Sequence, residues 1–194
     1  MDHEFSSEKS EAFIVAALSR GLLTDTQAET LRRESSHRLL MPSRLAIESG
    51  ILNSTEVEIA EAFADPDDLA PGYELLDVLG YGALGVVYRA RQTRLKREVA
   101  VKSIMPSRLV EKNVLARFQQ EGAAIGRLQH PNIVSAYDFG SHKHRFYLVM
   151  EWVRGTDLRM RLEEGGRIDA PTALWLVRQV ASGLAHALAL SLIH

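Results

Sequence analysis

Leu79-Gly80-Tyr81-Gly82-Ala83-Leu84-Gly85-Val86-Val87-Tyr88, with Val99-Ala100-Val101-Lys102 eleven residues further on, decides the fold of the larger part of the chain. Glycines at 80, 82 and 85 make a GxGxxG, a spacing that also arises where glycines punctuate ordinary turns. The residues after them discriminate. A dinucleotide-binding fold needs a helix directly after the glycines, so that its N-terminus meets the pyrophosphate, and a Walker loop needs Gly-Lys-Ser/Thr. Here Val86-Val87-Tyr88 is β-branched and aromatic and reads as a strand, so the glycines form the tip of a hairpin. A glycine-rich tip can lie close over phosphates, and Val87 can return beneath it to cover a base.

Outward from this hairpin, strands are expected at 74–79, 86–90 and 99–104 as an antiparallel meander, with a turn over 92–98. A helical pattern covers 110–128, and strands follow near 133–138 and 146–153 around a polar turn at 140–145. A short helix is expected at 158–162, and Asp169-Ala170-Pro171 opens a long one, because Asp caps and Pro is tolerated in a first turn. Lys102 stands in an otherwise apolar strand. On the helical pattern Val114, Phe118, Ile125 and Leu128 share a stripe, and Glu121 falls in its gap. A carboxylate on a buried stripe is costly unless a cation pairs with it.

In this order the motifs resemble those of bacterial eukaryotic-like (Hanks-type) serine/threonine protein kinases, over residues 73–194. The resemblance implies an α+β fold: a kinase-like N-lobe of five antiparallel strands with one main helix, the first C-lobe helices, and a small all-α segment before them. It implies ATP as ligand, with Gly80, Tyr81, Gly82, Ala83, Leu84 and Gly85 covering the phosphates. Lys102, held by Glu121, would position the α- and β-phosphates. Leu79, Val87 and Ala100 would line the base pocket, Met150 takes the gatekeeper position, backbone groups of Glu151 and Val153 would hold the adenine edge, and Asp157 would contact ribose. His130-Pro131-Asn132-Ile133-Val134 is similar to the family's connector after the helix, a structural turn. Asp138-Phe139-Gly140 repeats the family's magnesium-binding tripeptide, but it precedes the hinge strand instead of following the catalytic loop, so it is read as a strand end entering a turn.

Leu184 to His194 resembles the helix that leads into the family's His-Arg-Asp, with Leu188 and Ser191 where His and Gly are frequent. The chain as given stops on that histidine. The catalytic Asp, the Asn for a second magnesium, the true Asp-Phe-Gly and the activation segment are then missing, so Mg2+ ligands are expected in the missing C-lobe and this chain alone is expected to be inactive. The reaction implied for the complete parent is transfer of the ATP γ-phosphoryl to protein Ser or Thr; the residues present do not exclude Tyr. The alternative reading is a truncated pseudokinase, or a nucleotide-binding or interaction module without catalysis.

Composition bounds the rest. With 46% hydrophobic and 25% charged residues the chain is an ordinary globular one, and the absence of Cys excludes disulfides and thiolate sites. His142 and His144 flank Lys143 in a polar turn with no third ligand nearby, so no metal site is assigned. The N-terminus lacks a signal-peptide pattern, and the longest apolar stretch, 172–193, is broken by Arg178, Gln179 and His186, so no membrane span and a cytoplasmic location are expected. Residues 1–72 hold 14 acidic and 6 basic side chains and 73–194 hold 11 and 17, a change of sign that marks two units. The motifs assign the basic half to a phosphorylated small molecule, not to nucleic acid. The boundary is placed at a linker over 65–72, after a helical segment at 1–64. In that segment Ala17-Leu-Ser-Arg-Gly-Leu-Leu-Thr24 and Ala46-Ile-Glu-Ser-Gly-Ile-Leu-Asn53 match at an offset of 29, each reading as helix, glycine cap, apolar pair, N-cap, helix, with Thr24 or Asp25 and Asn53 or Ser54 as the N-caps. A protein partner is the role expected of such a segment.

Overall fold

The computed structural model describes residues 6–82, 85–104, 128–142 and 145–190. Its N-terminal helices are α1 (Ser7–Ser19), α2 (Asp25–Arg38), α3 (Pro42–Glu48), α4 (Ser54–Ala64) and the single turn α5 (Pro66–Leu69). The sequence repeat is a structural one. After α1 and after α3 the chain turns at Gly21 (φ 66°) and Gly50 (φ 69°), a region that L side chains avoid. Leu22 and Ile51 then return their N–H groups to the Ala17 and Ala46 carbonyls, both at 2.9 Å. Thr24 and Asn53 cap the following helices in full capping boxes, with Gln27 and Glu56 reaching back to the cap N–H groups. Equivalent positions of the two copies fill one core: Ala17 and Ala46, Leu23 and Leu52, Ala28 and Val57, Leu31 and Ala60.

The sheet comprises β1 (Tyr73–Gly82), β2 (Gly85–Gln92), β3 (Arg97–Ile104), β4 (Ala136–His142) and β5 (Arg145–Glu151), in the order β1-β2-β3-β5-β4. The β1–β2 and β2–β3 pairs are antiparallel, and Val87 stands opposite Lys102 while Tyr88 stands opposite Val101. Alternation therefore gives one face to Val87 and Lys102 and the other to Val86, Tyr88, Ala90, Val99, Val101 and Ser103, all of which are buried.

The stretch 65–72 differs from the tether its turn residues suggest. Asp65-Pro66 starts α5, whose Leu69, together with Ala70, is buried, and Ala70 O accepts from Tyr73 N at 3.2 Å as the chain enters β1. β4 also begins later than the sequence indicates. His130 Nδ1 accepts from Asn132 N and His130 O from Ile133 N, so the turn consumes residues that read as strand. Asp138-Phe139-Gly140 consequently lies inside β4, not at its end, and a Cβ on Gly140 would lie 2.3 Å from the Tyr147 ring, which accounts for the glycine by packing.

After β5 come α6 (Leu158–Gly165) and α7 (Ala170–Ala189), the latter capped by Asp169 with Pro171 in its first turn, as its sequence indicates. The His130 turn sits on α7: His130 Nε2 is 3.1 Å from Ser182 Oγ, its ring stacks on His186, and a Cβ on Gly183 would crowd Ile133 and Asn132. His130 is thus a structural residue. Among the described residues no helix is long and apolar enough to cross a membrane. The chain divides into two compact units, Met1–Arg108 with Gly140–Tyr147 and Leu109–Phe139 with Leu148–His194.

Candidate functional site

In the first unit the β1/β2 hairpin pairs Gly80 with Val87, Tyr81 with Val86 and Gly82 with Gly85. Its register slips between Leu75 and Asp77 and again between Val78 and Gly80, so Leu76 and Leu79 are bulge residues. A bulge re-aims a side chain, and Leu79 lines a cavity of about 490 Å³ together with Gly80, Tyr81, Gly82, Gly85, Val87 and Lys102. Seven residues that the sequence assigned to one ligand are thereby brought together. Ala100 shares the Lys102 face two positions away and is buried. Ala83, Leu84 and Glu121 lie outside the described residues, and with Glu121 so does the expected Lys102–Glu121 pair.

The glycines serve different ends. A Cβ on Gly80 or Gly82 would meet nothing within 4 Å, so nothing in the chain demands glycine there, and the space stands open over the cavity. Gly85, at φ 143°, is fixed by the fold: a Cβ would lie 2.0 Å from the Ser103 carbonyl oxygen on β3. Open space at Gly80 and Gly82 beside one ammonium group suits a polyphosphate, which needs close backbone approach and a cation. ATP thus fits the residues present. Among the described residues no group of three or more His, Asp or Glu converges to hold a metal, and no magnesium ligand is assigned.

In the second unit, Met150 is half-buried in β5, and Glu151 N donates to Ser135 O at 2.8 Å. The Glu151 carboxylate accepts from Ser135 N at 3.4 Å, which ties the end of β5 to the chain before β4. β5 ends at Glu151, two residues short of the expected strand, and Val153 beyond it is exposed, next to Arg154, whose guanidinium covers the Trp152 ring at 4.9 Å. Asp157 has a role that its sequence did not announce: its Oδ1 caps α6 by accepting from Met160 N at 2.7 Å.

Sequence reasoning also missed how the N-terminal helices meet the sheet. The α4 run Val57-Glu58-Ile59-Ala60 is buried at every position, the mark of a helix covered on two sides. One side meets the helical core, and on the other Phe63 lies edge-on to Tyr88 at 5.9 Å while Ser103 Oγ donates to Glu58 Oε1. Arg145 of β5 and Glu61 form an ion pair at 2.7 Å. Arg20, just after α1, donates to the bulged Leu76 carbonyl at 3.3 Å and stacks over Phe63 at 3.5 Å. The sequence signal was slight, because Glu58 interrupts the apolar positions of α4 and nothing local marks that carboxylate as buried.

Residues 73–194 match the protein kinase domain family. The chain belongs to the protein kinase family. Relatives include serine/threonine-protein kinase PrkC of Bacillus subtilis, 35% identical over 122 residues that make up 63% of this chain and 19% of that protein. Serine/threonine-protein kinase PknD of Mycobacterium tuberculosis is 40% identical over 117 residues, 59% of this chain and 18% of the relative. The crystal structure of the Mycobacterium tuberculosis PknI kinase domain superposes with a TM-score of 0.54 at 27% identity, covering 60% of this chain and 48% of the solved one. The kinase chain described here therefore spans about a fifth of the length of these curated relatives. Members of the family use ATP and Mg2+. The five-stranded sheet with its glycine hairpin is the kinase N-lobe architecture expected from the sequence.

Proposed function

We propose that this chain is the ATP-holding portion of a serine/threonine protein kinase, with the hairpin 79–87 over the triphosphate and Lys102 as the cation that orients it. The observation that carries the reading is the cavity that Lys102 lines together with Gly80, Gly82 and Gly85. Phosphoryl transfer depends mainly on positioning and charge stabilisation, so a lysine beside glycine positions open to the cavity would contribute by holding the phosphates in line. Glu121 would hold the Lys102 ammonium in turn. With the Glu151 N–H donated to Ser135, the group this residue offers an adenine amino group is its carbonyl, and Val153 offers its N–H. Asp157 would reach ribose through its second oxygen, since Oδ1 is engaged by the helix cap. In the complete kinase the acceptor is a protein Ser or Thr hydroxyl, and the setting is the ATP-supplied cytoplasm. Titration of the purified chain with MgATP, followed calorimetrically, tests this: binding should weaken about tenfold or more in Lys102→Ala, the loss expected for a charged hydrogen-bond partner. Equal affinity in both proteins would refute it.

A further inference from the structure

Lys102 and Ser103 are neighbours on β3, and strand alternation sends them to opposite faces. Lys102 faces the cavity; Ser103, 1% exposed, faces α4. Two contacts and one covalent link meet at Ser103. Its hydroxyl donates to the carboxylate of Glu58, itself only 6% exposed. Its carbonyl is the surface on which Gly85 of the glycine hairpin rests so closely that no Cβ fits. Its peptide continues from Lys102. One residue therefore joins the N-terminal helices to both elements that form the phosphate end of the cavity.

Glu58 is an expensive residue to place there. Burying a carboxylate costs several kcal/mol on general grounds, and an apolar side chain at this position would pack against β2 and β3 at no such cost. The charge is felt locally: burial, reinforced by the Glu58 carboxylate, pushes the Tyr88 hydroxyl well above its usual range. Arg145, paired with Glu61 one turn further along α4, faces the same cluster from β5. Non-directional burial of Val86, Ala90, Val99 and Val101 can hold a helix against a sheet but does not fix its axial position; a directed hydrogen bond does. The helices reach the hairpin by a second route as well, since Tyr81 lines both the Lys102 cavity and a cleft beside Asn53, Thr55 and Ile59.

We propose that Glu58 is a positioning residue for the nucleotide site: through Ser103 it sets the place of β3, and with it Lys102 and the seat of the glycine hairpin, so that the helical segment controls nucleotide affinity from the opposite face of the sheet. The segment's partner is then the chain's own sheet, and whatever breaks the Glu58–Ser103 contact lowers affinity for ATP. This rests on the ATP-binding reading above.

The test measures MgATP affinity and thermal stability together in the full chain. Ser103→Ala and Glu58→Ala should each weaken MgATP binding about fivefold, the lower end of coupling between sites. Glu58→Gln, whose amide oxygen still accepts from the Ser103 hydroxyl, should restore most of it. Phe63→Leu loosens α4 from β2 without touching β3 and should lower the melting temperature with affinity unchanged. If Glu58→Ala fails to fold, Ser103→Ala reads the same contact by removal of one hydroxyl. Unchanged affinity in Ser103→Ala, or losses that follow melting temperature equally in all variants including Phe63→Leu, would overturn the proposal. Because Lys102→Ala is measured alongside, a failure of nucleotide binding itself appears as a wild-type chain that does not bind or does not respond to Lys102, whereas a failure of this proposal leaves Lys102-dependent binding intact and indifferent to Glu58.

Discussion

Gly80 and Gly85 separate two demands that a glycine motif conflates. At Gly85 the backbone lies in a region closed to L side chains and the Cβ position is filled by the Ser103 carbonyl, a backbone atom that cannot step aside. Gly85→Ala should therefore destabilise the fold by about 1–3 kcal/mol or more, read from urea denaturation. Gly80 has neither constraint, and Gly80→Ala should leave the denaturation midpoint nearly in place while weakening MgATP binding, because its methyl group enters the space the phosphates use. A common response in both properties at both positions would show that the motif's glycines are equivalent and that the cavity is not the phosphate site. The sequence shows three glycines at fixed spacing; it cannot show which one is held by the neighbouring strand, since that depends on a carbonyl 18 residues away along the chain.

At the scale of single elements, the helix starts were the most legible features, because a cap is chemistry between residues three apart. Thr24, Asn53 and Asp169 each cap the helix that the sequence starts there. Asn53→Ala removes an oxygen that accepts from both Thr55 N and Glu56 N, and should cost about 1 kcal/mol of stability by chemical denaturation. Asp169 adds a pH dependence. Hydrogen bonds from Thr172 hold its carboxyl below the usual carboxylate range, so the folded state favours the ionised form. Its contribution is present above the ordinary carboxylate pKa and disappears as pH falls through the lowered one. The start of α7 should fray in acid, seen as helical circular dichroism lost from wild type, while Asp169→Asn, which caps without titrating, should lack that component. Less legible were β4 and the stretch 65–72: His130 and Asn132 form a local turn that competes with strand pairing, and Asp65-Pro66 begins a helical turn whose Leu69 finds burial only in the folded unit. Propensity saw the turn residues but not their tertiary cover.

At the scale of the whole compact unit, the sequence showed a change of charge sign and a composition break near residue 70, which reads as two units of different role. The structure seats α4 against the apolar face of β2 and β3. Val86, Val99 and Val101 are each fully covered there, and full burial of a valine side chain contributes roughly 1.5–3 kcal/mol relative to exposure. The surface pair between Arg20 and Asp77, at 3.6 Å, is worth about 0–1 kcal/mol, so it adds little beside the apolar cover and the buried Glu58–Ser103 contact. Opposite charge balance is thus compatible with a shared interface: the acidic segment meets the sheet through apolar cover, the Glu58–Ser103 hydrogen bond and the Arg145–Glu61 pair. A joint of this kind makes the helices and strands one cooperative block. Native-state hydrogen exchange should then give the amides of Ile59 and Ala60 in α4 the same opening free energy as those of Tyr88 and Val101 in the sheet, and Val101→Ala should lower both sets equally. Early exchange of α4 while the strands stay protected would mean that the helical segment opens on its own, and the sheet face it covers would have to be stable in water without it.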